Sequence, residues 1–252
     1  MLKRERLLTI QGLVDARGII SVNEICAELD VSTMTVRRDL EELAAQKLLT
    51  RVHGGAQSLA FERTHELTRL QKQSLNTVEK DAVARRAASL IEAGDAVYIG
   101  PGTTNELIAA YVKVPDVRIV TNSLPVFESF QRHADRFILE MVGGIYRSRS
   151  GAFIGSMATS ALRHLSLSKA FTSANGIAGN ALYDASPEEG EVQRLALNNA
   201  EQRYLCCDVS KLNHRDFYSF YDLDQMDALI TNATITAQDQ ATYSRLTQIV
   251  TV

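Results

Sequence analysis

Apolar residues in the first sixty positions fall on helical spacings. Leu7, Ile10 and Val14 recur at i, i+3 and i+7, which predicts a helix over 3–17. Gly18 follows, the residue type best able to take the left-handed conformation at a helix end. Ser21-Val22-Asn23-Glu24 has the composition of a capping box, in which the serine accepts from an open amide and the glutamate reaches back. A second helix then buries Val22, Ile25 and Leu29, and Asp30-Val31-Ser32 supplies a short turn with Ser32 as the next cap. The third helix carries Val36, Leu40 and Leu43 on one stripe. Leu48 to Ala56 reads as a short β-ribbon that turns at Gly54-Gly55.

Residues 58–77 are polar, mixed in charge and weakly periodic, as a connecting segment would be. From Val78 an alternation of helix and strand begins. A helix over 78–93 turns Val83, Ala87, Leu90 and Ile91 inward, and strands are expected at 96–99, 118–121, 137–142, 169–173, 203–207 and 228–230. Such alternation predicts an α/β fold with a largely parallel, doubly wound sheet. The expected organisation is a small helical domain over 1–57, a linker over 58–77 and a larger domain over 78–252.

Composition adds mainly exclusions. The 252 residues are 45% apolar and 23% charged, enough for an ordinary core. No run of about 18 apolar residues predicts a membrane span, and the amino end shows no leader pattern, so a cytoplasmic location is expected. The three cysteines, Cys206 and Cys207 adjacent, and five scattered histidines have no metal-ligand spacing, so reduced buried thiols are expected, with no metal and no cofactor. Net charge is −3. The first 57 residues hold eight basic residues (Lys3, Arg4, Arg6, Arg17, Arg37, Arg38, Lys47, Arg51) against eight acidic ones (Glu5, Asp15, Glu24, Glu28, Asp30, Asp39, Glu41, Glu42). Any case for a nucleic-acid partner therefore rests on where charges sit, not on their sum.

Placement makes that case. At about 100° per residue, with Val36, Leu40 and Leu43 inward, Met34 and Arg38 point outward and Thr35 and Arg37 flank them. These positions occupy the first two turns of the third helix, the part of a helix-turn-helix that meets base edges. Arginine can fork onto guanine, and a threonine or methionine methyl can touch thymine. Ser32 and Thr33 suit phosphate contacts that fix register, and the ribbon could lay Arg51 and His53 along the backbone, as a wing. The expected partner is double-stranded operator DNA. One such domain makes few contacts, so a homodimer or homotetramer is expected.

In the larger domain, ligands are expected beyond the carboxyl ends of the strands. Gly100-Pro101-Gly102-Thr103-Thr104, between a strand and a helix, offers close approach, open amides and hydroxyls, which suits one phosphate. No Lys-Ser/Thr follows it, so it is not a P-loop. Thr121, Asn122 and Ser123 end the next strand with groups suited to sugar hydroxyls. Gly143-Gly144 with Arg147, Asn175 in the Ser173–Gly176 loop, and Lys211 after Asp208 complete the candidate set, lysine being a point-charge partner for phosphate. Glu188 and Glu189 read as carboxylates placed to suit a helix dipole, whereas Glu191 is kept as a candidate ligand residue.

The stretch Val31-Ser32-Thr33-Met34-Thr35-Val36-Arg37-Arg38-Asp39-Leu40, then Leu43 and Thr50 to Ala56, resembles the DNA-binding signature of the DeoR-type repressors. The Gly-x-Gly-Thr-Thr, Thr-Asn-Ser, Gly-Gly and Asp-x-Ser-Lys segments occur in the order of that family's sensor domain, so the resemblance spans essentially the whole chain. It implies a bacterial regulator of sugar metabolism with a winged helix-turn-helix and a ribose-5-phosphate-isomerase-like sensor domain that binds a phosphorylated sugar. It also puts Glu191 where the family usually has a glutamate. The segments 100–104, 121–126, 152–158 and 216–220 resemble the branch concerned with lactose use, which implies tagatose 6-phosphate as inducer. Two rival readings are a sugar-phosphate isomerase with an added DNA-binding domain, and an activator sensing another phosphorylated metabolite. Isomerisation needs a base to move a proton between carbons. The resemblance implies that acidic residues of such isomerases would fall in the Ser173–Gly176 loop, and this stretch has no carboxylate, so no catalytic residue is assigned.

Overall fold

The computed structural model describes residues 3–46, 48–52, 54–58, 66–132 and 134–252. The chain divides into two compact units, Met1–Asn76 and Thr77–Val252.

In the first unit, α1 (Lys3–Arg17), α2 (Val22–Leu29) and α3 (Thr33–Ala45) pack around Ile10, Val14, Ile25, Val36, Leu40 and Leu43, all buried. The ends form for the reasons the sequence gives. Gly18 takes a φ of 76° and its amide bonds to the Val14 carbonyl at 2.8 Å. The Ser21 hydroxyl accepts from the Glu24 amide while the Glu24 carboxylate accepts from Ser21, both arms of a capping box. A three-stranded antiparallel sheet backs the helices, in the order β1 (Ile19–Ser21), β3 (Gly55–Gln57), β2 (Thr50–Val52). The short β1 was not expected from sequence; it adds a third strand to the predicted ribbon. Ser58 closes this unit, its amide on the Gly18 carbonyl and its hydroxyl on Asp15 at 2.6 Å. The stretch expected as a linker also contains α4 (Arg69–Gln73), capped by Thr68.

The second unit is built on seven parallel strands: β4 (Ala96–Ile99), β5 (Val117–Thr121), β6 (Phe137–Met141), β9 (Leu167–Thr172), β12 (Ala200–Cys206), β14 (Ala228–Thr231) and β15 (Gln248–Thr251). They lie side by side as β15-β14-β12-β9-β4-β5-β6. Side chains alternate between two cores, as the pleat requires. Val97, Ile99, Ile119, Phe171, Cys206 and Ile230 enter one, which α5 (Thr77–Ala88) and α6 (Leu124–Gln131) cover; Tyr98, Val120, Ala170, Leu205 and Leu229 enter the other. The second face is covered by α7 (Ser156–Leu162), α8 (Pro187–Asn198) and α9 (Ala237–Tyr243). Helix α5 stops at Ala88, short of the expected 93, and short turns carry the chain to β4.

Two small sheets sit beside the main one. Strands β7 (Ile145–Arg147) and β8 (Ala152–Ile154) form a hairpin, and β10 (Gly176–Ala178), β11 (Ala181–Asp184) and β13 (Tyr218–Asp222) form an antiparallel trio. Neither was expected, because strands of three to five residues leave little periodicity to detect.

Candidate DNA-reading surface and effector site

On α3 the outward face is as the register requires. Met34 is 66% exposed and Thr33, Arg37 and Arg38 are exposed, while Val36 and Leu40 are fully buried beneath them. Ser32 caps the helix by accepting from the Thr35 amide, and its hydroxyl lies 2.9 Å from that of Thr35. These two hydroxyls therefore already shape the helix start. Asp39, on the same helix, was missed by sequence reasoning. It is buried and paired with Arg6 of α1, Nε to Oδ2 at 2.5 Å and Nη2 to Oδ1 at 3.2 Å, which fixes α3 against α1. Arg51 on β2 is half-buried, and its Nη1 is enclosed without a hydrogen-bond partner. His53 lies outside the described residues.

The parallel sheet changes direction between β4 and β9. Numbered by appearance, its strands run 3-2-1-4-5-6-7, so the chain winds outward in both directions from that pair. A crevice opens at the carboxyl ends of the two strands at such a switch point. The Gly100–Thr104 loop leaves β4 here and the Ser173–Gly176 loop leaves β9. Gly102 has a φ of +144°, and a Cβ there would come within 2.7 Å of the Ser173 Cβ. Only glycine fits this close approach.

The segment after the loop departs from expectation. It is a 3-10 helix of six residues, Asn105–Ala110, not an α-helix, and the Glu106 and Leu107 amides bond back to the Gly102 and Thr104 carbonyls. Little helix dipole is available, and the loop's own backbone must do the work. Asn105, unremarked in the sequence, is fully buried. Its Nδ2 donates to the Gly100 carbonyl at 3.0 Å and its Oδ1 has no hydrogen-bond partner.

Thr121, Asn122 and Ser123 were expected to offer hydrogen bonds to a sugar, yet all three are fully buried and bonded within the protein. The Thr121 hydroxyl donates to the Ile99 carbonyl, Asn122 accepts from the Tyr98 hydroxyl at 2.7 Å and donates to the Phe153 carbonyl at 2.8 Å, and Ser123 caps α6. Their polar groups satisfy strand-end and hairpin backbone that would otherwise be buried without partners. They brace the site from below.

Gly144 is pressed against β8, where a Cβ would meet the Ile154 carbonyl oxygen at 2.4 Å; Gly143 has open space around it. Arg147, on β7, donates from Nη1 to Glu189 at 3.1 Å. Glu189 lies in the first turn of α8, where a carboxylate suits the helix dipole, and it is also buried. Glu191 instead turns to Arg194 on the same helix, its side chain 44% exposed. The Asn175 amide donates to Asp216 at 2.9 Å. Lys211 ends a 3-10 turn after β12 and makes no ion pair among the described residues. Asp208 opens that turn, accepting from the Ser210 amide.

Cys207 lies behind the β9 loop, with its Sγ 3.4 Å from the Ala174 amide nitrogen, and burial pushes its thiol up to about 11. Among the described residues no His, Cys, Asp and Glu cluster could hold a metal ion, and no helix is long and apolar enough to cross a membrane.

Comparison with known proteins covers both units. Residues 6–62 match the DeoR-like helix-turn-helix domain and residues 75–233 the DeoR C terminal sensor domain. A lactose phosphotransferase system repressor of Lactococcus lactis subsp. lactis is 44% identical over 252 residues, 99% of this chain and 98% of that one. A protein of the same description from Streptococcus mutans is 42% identical over 92% of this chain and 93% of its own. Among solved structures, ribose 5-phosphate isomerase A from Neisseria gonorrhoeae matches at 14% identity and a TM-score of 0.39, over 59% of this chain and 56% of that one. The eIF2B delta subunit from Chaetomium thermophilum matches at 17% identity and a TM-score of 0.45, over 61% and 55%. The chain belongs to the DeoR family, with a DeoR-like helix-turn-helix at its amino end and a DeoR sensor domain behind it.

Proposed function

We propose that this protein is a transcriptional repressor of a sugar-utilisation operon, that of lactose or galactose use, and that a phosphorylated sugar releases it from DNA. The observation that carries the reading is the pairing, in one chain, of an exposed Met34-Arg37-Arg38 face on α3 with a glycine loop at a sheet switch point. The first is a surface for base edges. The second is a place for a phosphate, with the Gly100–Thr104 backbone below it and Lys211 as the nearby cation.

Met34, Thr35, Arg37 and Arg38 meet the major groove, while Ser32, Thr33, Arg51 and His53 fix the register along the backbone. The effector's phosphate lies on Gly100, Gly102, Thr103 and Thr104, and its sugar extends along the strand ends toward Gly143, Gly144, Arg147 and Asn175. Tagatose 6-phosphate is the favoured effector, since relatives 42% and 44% identical to this chain carry the lactose repressor description. Release follows from linkage: an effector that binds better to a state with weak operator affinity shifts the population toward that state. The protein acts as a homodimer or homotetramer in the cytoplasm, without catalysis.

Selection from a random pool of DNA duplexes tests the DNA half. The reading expects enrichment of one motif repeated with two-fold symmetry, bound with a strong salt dependence. Failure to enrich any motif, or interconversion of hexose phosphates by the purified protein, contradicts it.

A further inference from the structure

Three glutamates crowd the first two turns of α8, and the fold treats each differently. Glu188 is exposed and accepts from the Ser186 hydroxyl, and Glu191 faces solvent with Arg194. Glu189 is enclosed, its side chain 3% exposed, with the Arg147 guanidinium on its Oε2. Rotation about the helix axis is set by Gly190. A Cβ there would lie 2.6 Å from the Phe220 Cβ, so the helix packs hard on β13 at that residue and carries Glu189 inward.

Its surroundings locate it. The Tyr98 hydroxyl, donating to Asn122, is held well above its ordinary range by burial and, after that, by the Glu189 charge. Arg147 comes from the hairpin whose Phe153 carbonyl accepts from Asn122. Glu189 and Arg147 thus stand by the β4–β5 side of the switch point. Lys211 follows β12, on the opposite side. The Glu189–Arg147 ion pair carries no net charge to hold a phosphate, whereas Lys211 makes no ion pair among the described residues. The phosphate therefore belongs at the Lys211 side, and the uncharged, hydroxyl-bearing part of the molecule belongs at Glu189.

We propose that the Glu189–Arg147 pair reads the configuration of the sugar's hydroxyls, the carboxylate accepting from a hydroxyl and the guanidinium donating to the oxygen beside it. This rests on the sugar-phosphate reading above and adds which residues discriminate between sugars. A carboxylate that accepts from a hydroxyl rejects an epimer that turns the hydroxyl away, because the buried acceptor then loses its donor. Among the three glutamates only the enclosed one can enforce such a choice, since water replaces a lost donor at the exposed pair.

The test uses the full chain on labelled operator, titrated with tagatose 6-phosphate and with fructose 6-phosphate, which differ only in configuration at C4. The readout is the ratio of the two half-release concentrations. Parent protein discriminates, and Glu189→Gln and Glu189→Asp each shrink the ratio by about tenfold, while Glu188→Gln keeps it. An unchanged ratio in both Glu189 variants, or an equal loss of response to both sugars, overturns the proposal. So does a parent that responds equally to the two epimers. If no sugar phosphate releases the parent, the effector reading itself fails, an outcome visible without any substitution.

Discussion

Gly102 and Ser173, far apart in sequence, meet across the switch point of the parallel sheet, where a Cβ on Gly102 would come within 2.7 Å of the Ser173 Cβ. The contact joins the loops that leave β4 and β9. Gly102→Ala would have to push those loops apart while holding an unfavourable φ. The expected cost is about 1–3 kcal/mol of stability, with a half-release concentration for the sugar phosphate raised well above the parent's. Urea unfolding and operator titration measure the two effects, and a variant that responds to effector like the parent contradicts the placement of the phosphate loop.

Two arginines of the first unit separate by role. Arg38→Ala should cost about 1–3 kcal/mol of operator binding and relax preference at one base pair, because a fork onto guanine is lost. Arg51→Ala should weaken all sequences alike and reduce the salt slope by about one. Anisotropy titrations on the operator and on single-base variants, at several salt concentrations, distinguish the two. If both variants bind like the parent, α3 and the ribbon are not the DNA-reading elements.

Cys206 and Cys207 are neighbours on β12, so the pleat points them to opposite faces and into different cores. Both are buried and both thiols are pushed up by burial, Cys207 to about 11. Cys26, on α2, is half-buried. With a thiol reagent at pH 8, one group should react quickly and two only after unfolding. Three fast thiols would show that the β12 core is not packed as described.

The start of α2 carries a pH dependence. The Ser21 hydroxyl, and then its amide, hold the Glu24 carboxyl below the usual carboxylate range. A carboxyl whose folded pKa is depressed adds stability that is present above its unfolded value, about 4.3, and is lost as pH falls through the folded value. Ser21→Ala should cost the first unit about 1 kcal/mol near neutral pH, and the difference from parent should narrow below about pH 4. Hydrogen exchange of the α2 amides at pH 6 and at pH 3.5 reads this. A difference that stays constant or grows with acid contradicts the capping box.

Much of this architecture is legible in the sequence because its signals are local. Gly18, Ser21, Glu24 and Ser32 end or start helices through contacts within four residues, and the buried parallel strands read as plain apolar runs. What escaped is set by distant packing. Asp39 looks like any polar residue on a helix until Arg6 of α1 is seen against it. Glu189 and Glu191 are indistinguishable in a charged helix start, and it is the close approach of Gly190 to Phe220 that sends one inward and the other to solvent. That glycine inside a helix was the available signal. Thr121, Asn122 and Ser123 read as ligand groups because the same side chains that suit a sugar also suit strand-end backbone, and here the backbone claims them.

The central claim is that a phosphorylated sugar on the switch-point loop governs operator binding by the α3 face. A band-shift titration of the full-length protein on its selected operator with tagatose 6-phosphate, with galactose 6-phosphate and inorganic phosphate alongside, tests it most directly. The account predicts release by tagatose 6-phosphate at concentrations where inorganic phosphate does nothing, and a release midpoint moved upward by Gly102→Ala. Operator that stays bound at saturating concentrations of every sugar phosphate would contradict it.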